Sequence, residues 1–170
     1  MQVTEARRTA IQDFARTLYE RRARADMLAS SLRRGAPIDE LHERKRLYDE
    51  IYVKWERDLQ PNLFMIRSAM ESDDYTELEG DVETKLTPLL REIDTCITVA
   101  YDARLQGGNP PQQLKACRYD TALTASRNCA YAITDQLFRM AVRSAPPSPL
   151  EATTLRQRAA ATIRAGCGAA

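Results

Sequence analysis

Side chains that ordinarily carry chemistry are scarce in this 170-residue chain, which holds four cysteines and one histidine. The cysteines stand at Cys96, Cys117, Cys129 and Cys167. None forms a C-x-x-C pair, and a tetrahedral zinc site needs its thiolates and imidazoles in tighter groups than one histidine and these spacings supply. Two readings stay open. Cys96 and Cys129 could be small core residues, as free cysteines often are. Alternatively the four could form two bridges between neighbouring antiparallel helices. A turn between Leu105 and Gln112 sets Cys96 about four residues, ~6 Å, out of register with Cys117. A turn through the proline run at 145–149 puts Cys129 almost opposite Cys167. Pairing Cys117 with Cys129 is ruled out, because twelve residues along one helix separate them by ~18 Å. On the bridged reading the pairs are Cys96–Cys117 and Cys129–Cys167, which would persist in an oxidising compartment.

His42 sits in Asp39-Glu40-Leu41-His42-Glu43. Di-iron sites in helical bundles need two Glu-x-x-His pairs, and one histidine cannot supply them. Nucleophilic catalysis would need His42 to meet an activated Ser or Cys across the fold, and no candidate has the setting of a nucleophile. There is no G-x-x-x-x-G-K-[ST], G-x-G-x-x-G or H-E-x-x-H. Gly107-Gly108 precedes a helix, but Pro110 and Pro111 remove two N–H groups that a phosphate cradle would use. Asp73, Asp74, Glu77, Glu79, Asp81 and Glu83 lack the glycine and terminal glutamate of an EF-hand loop, and acids at a helix start follow from the macrodipole. No enzyme, metal or cofactor is expected.

A basic cluster at Arg33, Arg34, Arg44, Lys45 and Arg46 is followed by Tyr48, Tyr52 and Trp55, a combination that can bind single strands. The formal charge is only +1, and the aromatics fall on a core stripe, so nucleic acid is a minor reading. The charge is unevenly laid out. Residues 1–60 carry 13 Lys/Arg against 11 Asp/Glu, residues 61–110 carry 4 against 10, and residues 111–170 carry 8 against 3. An acidic segment between basic neighbours suits helices pairing side by side.

The positions of these residues depend on helices. The stretch from Ile38 to Met70 places Leu41, Tyr48, Tyr52, Trp55, Leu59, Leu63, Ile66 and Met70 at helical spacing. Pro61 lies inside it and predicts a kink. A first helix from about Thr4 to Arg34 buries Ile11, Phe14, Ala15, Leu18, Ala25, Leu28, Ala29 and Leu32, with Arg21 and Arg22 interrupting. Gly35 and Pro37 make a short turn, so these two helices lie antiparallel. In that register Arg21 and Arg22 face Asp49 and Glu50, while Asp26 faces Lys45 and Arg46, all as solvated ion pairs.

Residues 71–74 read as a polar turn, with Thr76 and Glu79 as a capping box. A third helix, about Glu77 to Leu105, turns Val82, Leu86, Leu89, Ile93, Cys96, Ile97 and Ala100 inward and is interrupted at Pro88. After the loop at 107–111, a fourth runs from about Gln112 to Ser144. Tyr119, Ala122, Leu123, Ser126, Cys129, Ala130, Ile133, Leu137, Met140 and Ala141 form its inner face. A short fifth, about Leu150 to Ala165, follows the proline run.

The expected fold is all-α: one domain over 1–170, an antiparallel up-and-down bundle of four long helices with a short C-terminal helix. Glycine is sparse and helix formers abundant, which agrees. No apolar run reaches the ~18 residues that span a bilayer, and no export signal is read at the N-terminus. The cell envelope or periplasm is expected if the bridges form and an anchor or signal precedes the chain, the cytoplasm otherwise. The expected function is a non-catalytic structural or protein-interaction domain. Two alternatives stand beside it. One is a small-molecule-sensing bundle with a pocket at Trp55, Pro61, Leu86 and Pro88. The other is a nucleic-acid accessory factor using the arginines of the first hairpin.

Overall fold

The computed structural model of the chain describes residues 2–68, 74–142 and 148–168. Every regular element among them is helical. In order these are α1 (Gln2–Arg33), α2 (Ile38–Ser68), α3 (Asp74–Asp81), a π-helical turn (Val82–Leu86), α4 (Thr87–Leu105), α5 (Pro110–Ala116), α6 (Tyr119–Ala141) and α7 (Pro149–Cys167). The all-α class is as the sequence predicts; the division into elements is finer.

α1 and α2 form an antiparallel hairpin with the most extensive contact in the fold. Gly35 takes φ +66 in the turn, a left-handed conformation that costs glycine nothing. The register agrees with the predicted one. Ser31 donates to Glu40 at 2.9 Å, and Arg24 donates to the Leu47 carbonyl at 2.7 Å. The predicted ion pairs across it do not form. Lys45 pairs with Asp49 at 2.6 Å, and Arg46 pairs with Glu43 at 2.8 Å and with Glu50. These partners lie three or four residues away on the same helix, already in reach before any tertiary contact forms.

α2 continues through Pro61 as one helix. Pro88 interrupts the α-helix as expected. It cannot donate to the Thr84 carbonyl and its ring crowds that group, and the chain widens into a π turn just before it. The Thr87 N–H bonds to the Val82 carbonyl, as does the Thr87 hydroxyl at 3.0 Å. The π turn leads directly into α4, where α-helix restarts at Thr87. At the other end of this segment, α3 begins at Asp74, so Thr76 lies within the helix and is not its cap. Of the predicted polar turn at 71–74, Asp74 is the first residue of α3, and residues 71–73, Met70 and most of the proline run lie outside the described residues.

The predicted fourth helix is two helices. Asn109 caps α5 by accepting from the Gln112 N–H at 3.3 Å, and α5 ends at Ala116. Arg118 then adopts φ 58, ψ 38, and α6 starts at Tyr119. α6 is central, touching α1, α4, α5, the π turn and α7. Eleven of its 23 side chains are buried, a full and largely apolar face along its length.

Two clusters of buried side chains make up the core. One joins Ile11, Phe14 and Leu18 with Trp55, Leu63, Leu86, Ile133 and Leu137. The other joins Leu28 and Leu32 with Leu41, Tyr48, Ile93, Ile97 and Tyr119. Between them along α1, bracketed by Leu18 and Ala25, comes Arg21.

Candidate functional site

Arg21 is only 2% exposed, although its position on the apolar stripe of α1 would suit a leucine. Burying a guanidinium without partners is prohibitive, because arginine does not give up its proton. Its partner comes from α4. Arg21 Nη2 donates to Asp94 Oδ2 at 2.5 Å, and the Tyr48 hydroxyl from α2 donates to Asp94 Oδ1. One carboxylate thus ties three helices together. Arg21 Nη1 lies 3.5 Å from Glu56 Oε1, an ion pair without a hydrogen bond. The guanidinium stands over Tyr52, 4.9 Å from the ring centroid, and 5.7 Å from that of Trp55. Arginine stacks on such faces with a gain that grows as water is excluded.

Burial raises the pKa of the Asp94 carboxyl, and the Arg21 charge and the Tyr48 hydrogen bond oppose that rise. Burial also raises the Tyr48 phenol, and the Asp94 carboxylate pushes it in the same direction. The phenol therefore stays protonated and serves as a hydrogen-bond donor. Such a cluster can fix the register of α1, α2 and α4. It lacks a serine, cysteine or lysine nucleophile. The Trp55 indole N–H is buried without a hydrogen-bond partner. The sequence marked Arg21 only as a break in a stripe and assigned it to solvent. Asp94, which sits one residue after the inward-facing Ile93, was the signal that could have identified its partner.

The cysteines pair as their register predicts. Cys96 and Cys117 are at disulfide distance, with Cα atoms 5.7 Å apart, and so are Cys129 and Cys167, with Cα atoms 4.2 Å apart. No free cysteine is left. The first bridge ties α4 to the break between α5 and α6, inside the second core cluster. The second ties α6 to the last turn of α7, against the first cluster.

The pocket residues named from sequence separate by depth. Trp55 and Leu86 share the first core cluster, whereas Pro61 and Pro88 are exposed on their helices. His42 is exposed, its ring 6.4 Å from that of Tyr101. Among the described residues no three His, Cys, Asp or Glu side chains are grouped to hold a metal ion. No described helix is long and apolar enough to cross a membrane. In the basic cluster of the first hairpin, Arg33 pairs with Asp120 at 2.6 Å and Arg34 with Glu40. Lys45 and Arg46 are also paired, within α2.

α6 carries an exposed apolar strip that runs to its C-cap. Tyr131 is 68% exposed, Phe138 39% and Val142 76%, at positions seven and four residues apart on one face. Set against protein-family models, curated proteins and solved structures, the chain matches none.

Proposed function

We propose that this chain is a non-catalytic helical domain that docks a protein partner through the outer face of α6 and works in an oxidising compartment such as the cell envelope. The observation that carries the docking half is the strip of Tyr131, Phe138 and Val142, held out on the helix most deeply anchored in the fold. Aromatic side chains left in water on a rigid helix gain most from burial against another surface. The paired cysteines support the compartment, because reducing cytosol would keep them as thiols. Arg127 and Asn128 flank the strip and give the partner a polar rim to meet.

Photo-crosslinking in cells tests the reading. A benzophenone side chain at position 131 or 138 should give a discrete protein adduct, and the same group at Glu92, exposed on α4, should not. Equal labelling from all three positions, or none from 131 and 138, overturns it.

A further inference from the structure

The two bridges hold very different amounts of structure in place. Cys96–Cys117 joins segments already connected through the loop at 106–109, and α4, α5 and α6 all pack on one another. Cys129–Cys167 closes 38 residues and ends on α7, whose packing neighbour is α6. Of the 19 residues of α7, Ile163 is the one that is buried. Leu155, Ala159, Ala160 and Cys167 are half-buried beside it, so α7 holds to the fold along one thin face. A small cavity of about 40 Å³, lined by Glu77, Asp81, Gln136 and Arg156 among others, separates its flank from α3.

The last turn of α7 approaches α6 closely. A Cβ on Gly166 would sit 2.5 Å from the Ala132 Cβ, so the absence of a side chain is what lets the last turn of α7 meet α6. Beside that contact Cys167 covers Cys129, which is fully buried.

We propose that α7 is a redox-held latch. The Cys129–Cys167 bond keeps it on α6, and a dithiol reductant releases it while the rest of the fold stays intact. A thiolate of the dithiol attacks Cys167 Sγ, the more accessible sulfur, and the S–S bond breaks. Cys129 leaves as a thiolate and takes a proton from solvent. The second thiol of the reductant then displaces Cys167 from the mixed disulfide. Two protein thiols and one oxidised dithiol result, so two electrons pass from reductant to protein. Undocking of α7 uncovers Cys129 and the face of α6 around Ala132.

The test is the Cys167→Ser variant, which keeps the Cys96–Cys117 bridge, compared with dithiothreitol-treated wild type, in which both bridges are open. Hydrogen exchange in α7 should speed up about tenfold or more, with α2 and α4 unchanged. The Cys129 thiol of the native variant should react with Ellman's reagent. Re-oxidation of the treated wild type should restore α7 protection. Unchanged α7 exchange with an unreactive Cys129 overturns the latch. So does faster exchange throughout α2 and α4, because the bridge would then hold the whole fold.

Discussion

A carboxyl can give up its charge by taking a proton and a guanidinium cannot, and this asymmetry governs the cluster at Arg21 and Asp94. If Asp94 is removed, Arg21 remains charged and buried with only Glu56 near it. If Arg21 is replaced by Met, a side chain of similar length, Asp94 can protonate and still accept from Tyr48. Asp94→Ala should therefore cost about 3–5 kcal/mol of stability, as broken buried pairs do. Arg21→Met should cost clearly less. The pH dependence follows from the sign of the shift. Without Arg21 the folded-state pKa of Asp94 rises further above its unfolded value. Its contribution is then favourable at pH below the unfolded value of ~3.9 and is lost as pH rises through the folded one. Urea unfolding should find the Arg21→Met deficit smaller at pH 4 than at pH 7, and a deficit that widens on acidification would contradict the assignment. At this scale the sequence was least legible. Arg21 lies in a stripe of leucines and alanines, and whether such a residue turns out to solvent or finds a buried anion depends on α4, seventy residues away.

Elements with strong periodicity were legible almost to the residue. Ile11, Phe14, Leu18, Leu28 and Leu32 are buried as α1 requires, and Val82, Leu86, Ile93 and Ala100 as the third segment requires. The stripe of α2 drifts, because steps of three and four only approximate 3.6 residues per turn. Ile51 enters the core and Tyr52 is left 38% exposed. Pro88 read as an interruption because a proline in a helix removes a donor, and the interruption takes the form of a π turn before α4 restarts at Thr87. The end of α5 has neither glycine nor proline to announce it. The chain turns at Arg118 in the left-handed region, beside the cysteine that bridges to Cys96. A side chain at φ 58 carries a cost of roughly 1–2 kcal/mol that glycine avoids, partly offset by glycine's larger unfolded-state entropy. Arg118→Gly should therefore raise the thermal midpoint by a few degrees, measured by calorimetry. A lower midpoint would mean that the Arg118 side chain has a stabilising role that outweighs its backbone cost.

Taken whole, the molecule is two apolar clusters on either side of a buried charge cluster, each cluster fastened by its own disulfide. Loops of 21 and 38 residues closed by a bond remove chain entropy from the unfolded state worth about 3–4 kcal/mol each. That is a large share of the ~5–15 kcal/mol by which a domain is stable. The pairing was legible in sequence because antiparallel register is set by turn position, and the stretches at 107–111 and 145–149, rich in glycine and proline, marked where turns were expected. The exposed strip on α6 was not legible. Tyr131, Phe138 and Val142 are apolar like their buried neighbours, and only the packing of α7 and α1 decides which side of α6 is left in water. The paired cysteines support both the compartment and the latch, so the most direct measurement is thiol titration of the chain purified and unfolded without reductant. The account predicts no free thiol, with peptide mapping returning Cys96 joined to Cys117 and Cys129 joined to Cys167. Four free thiols would contradict it.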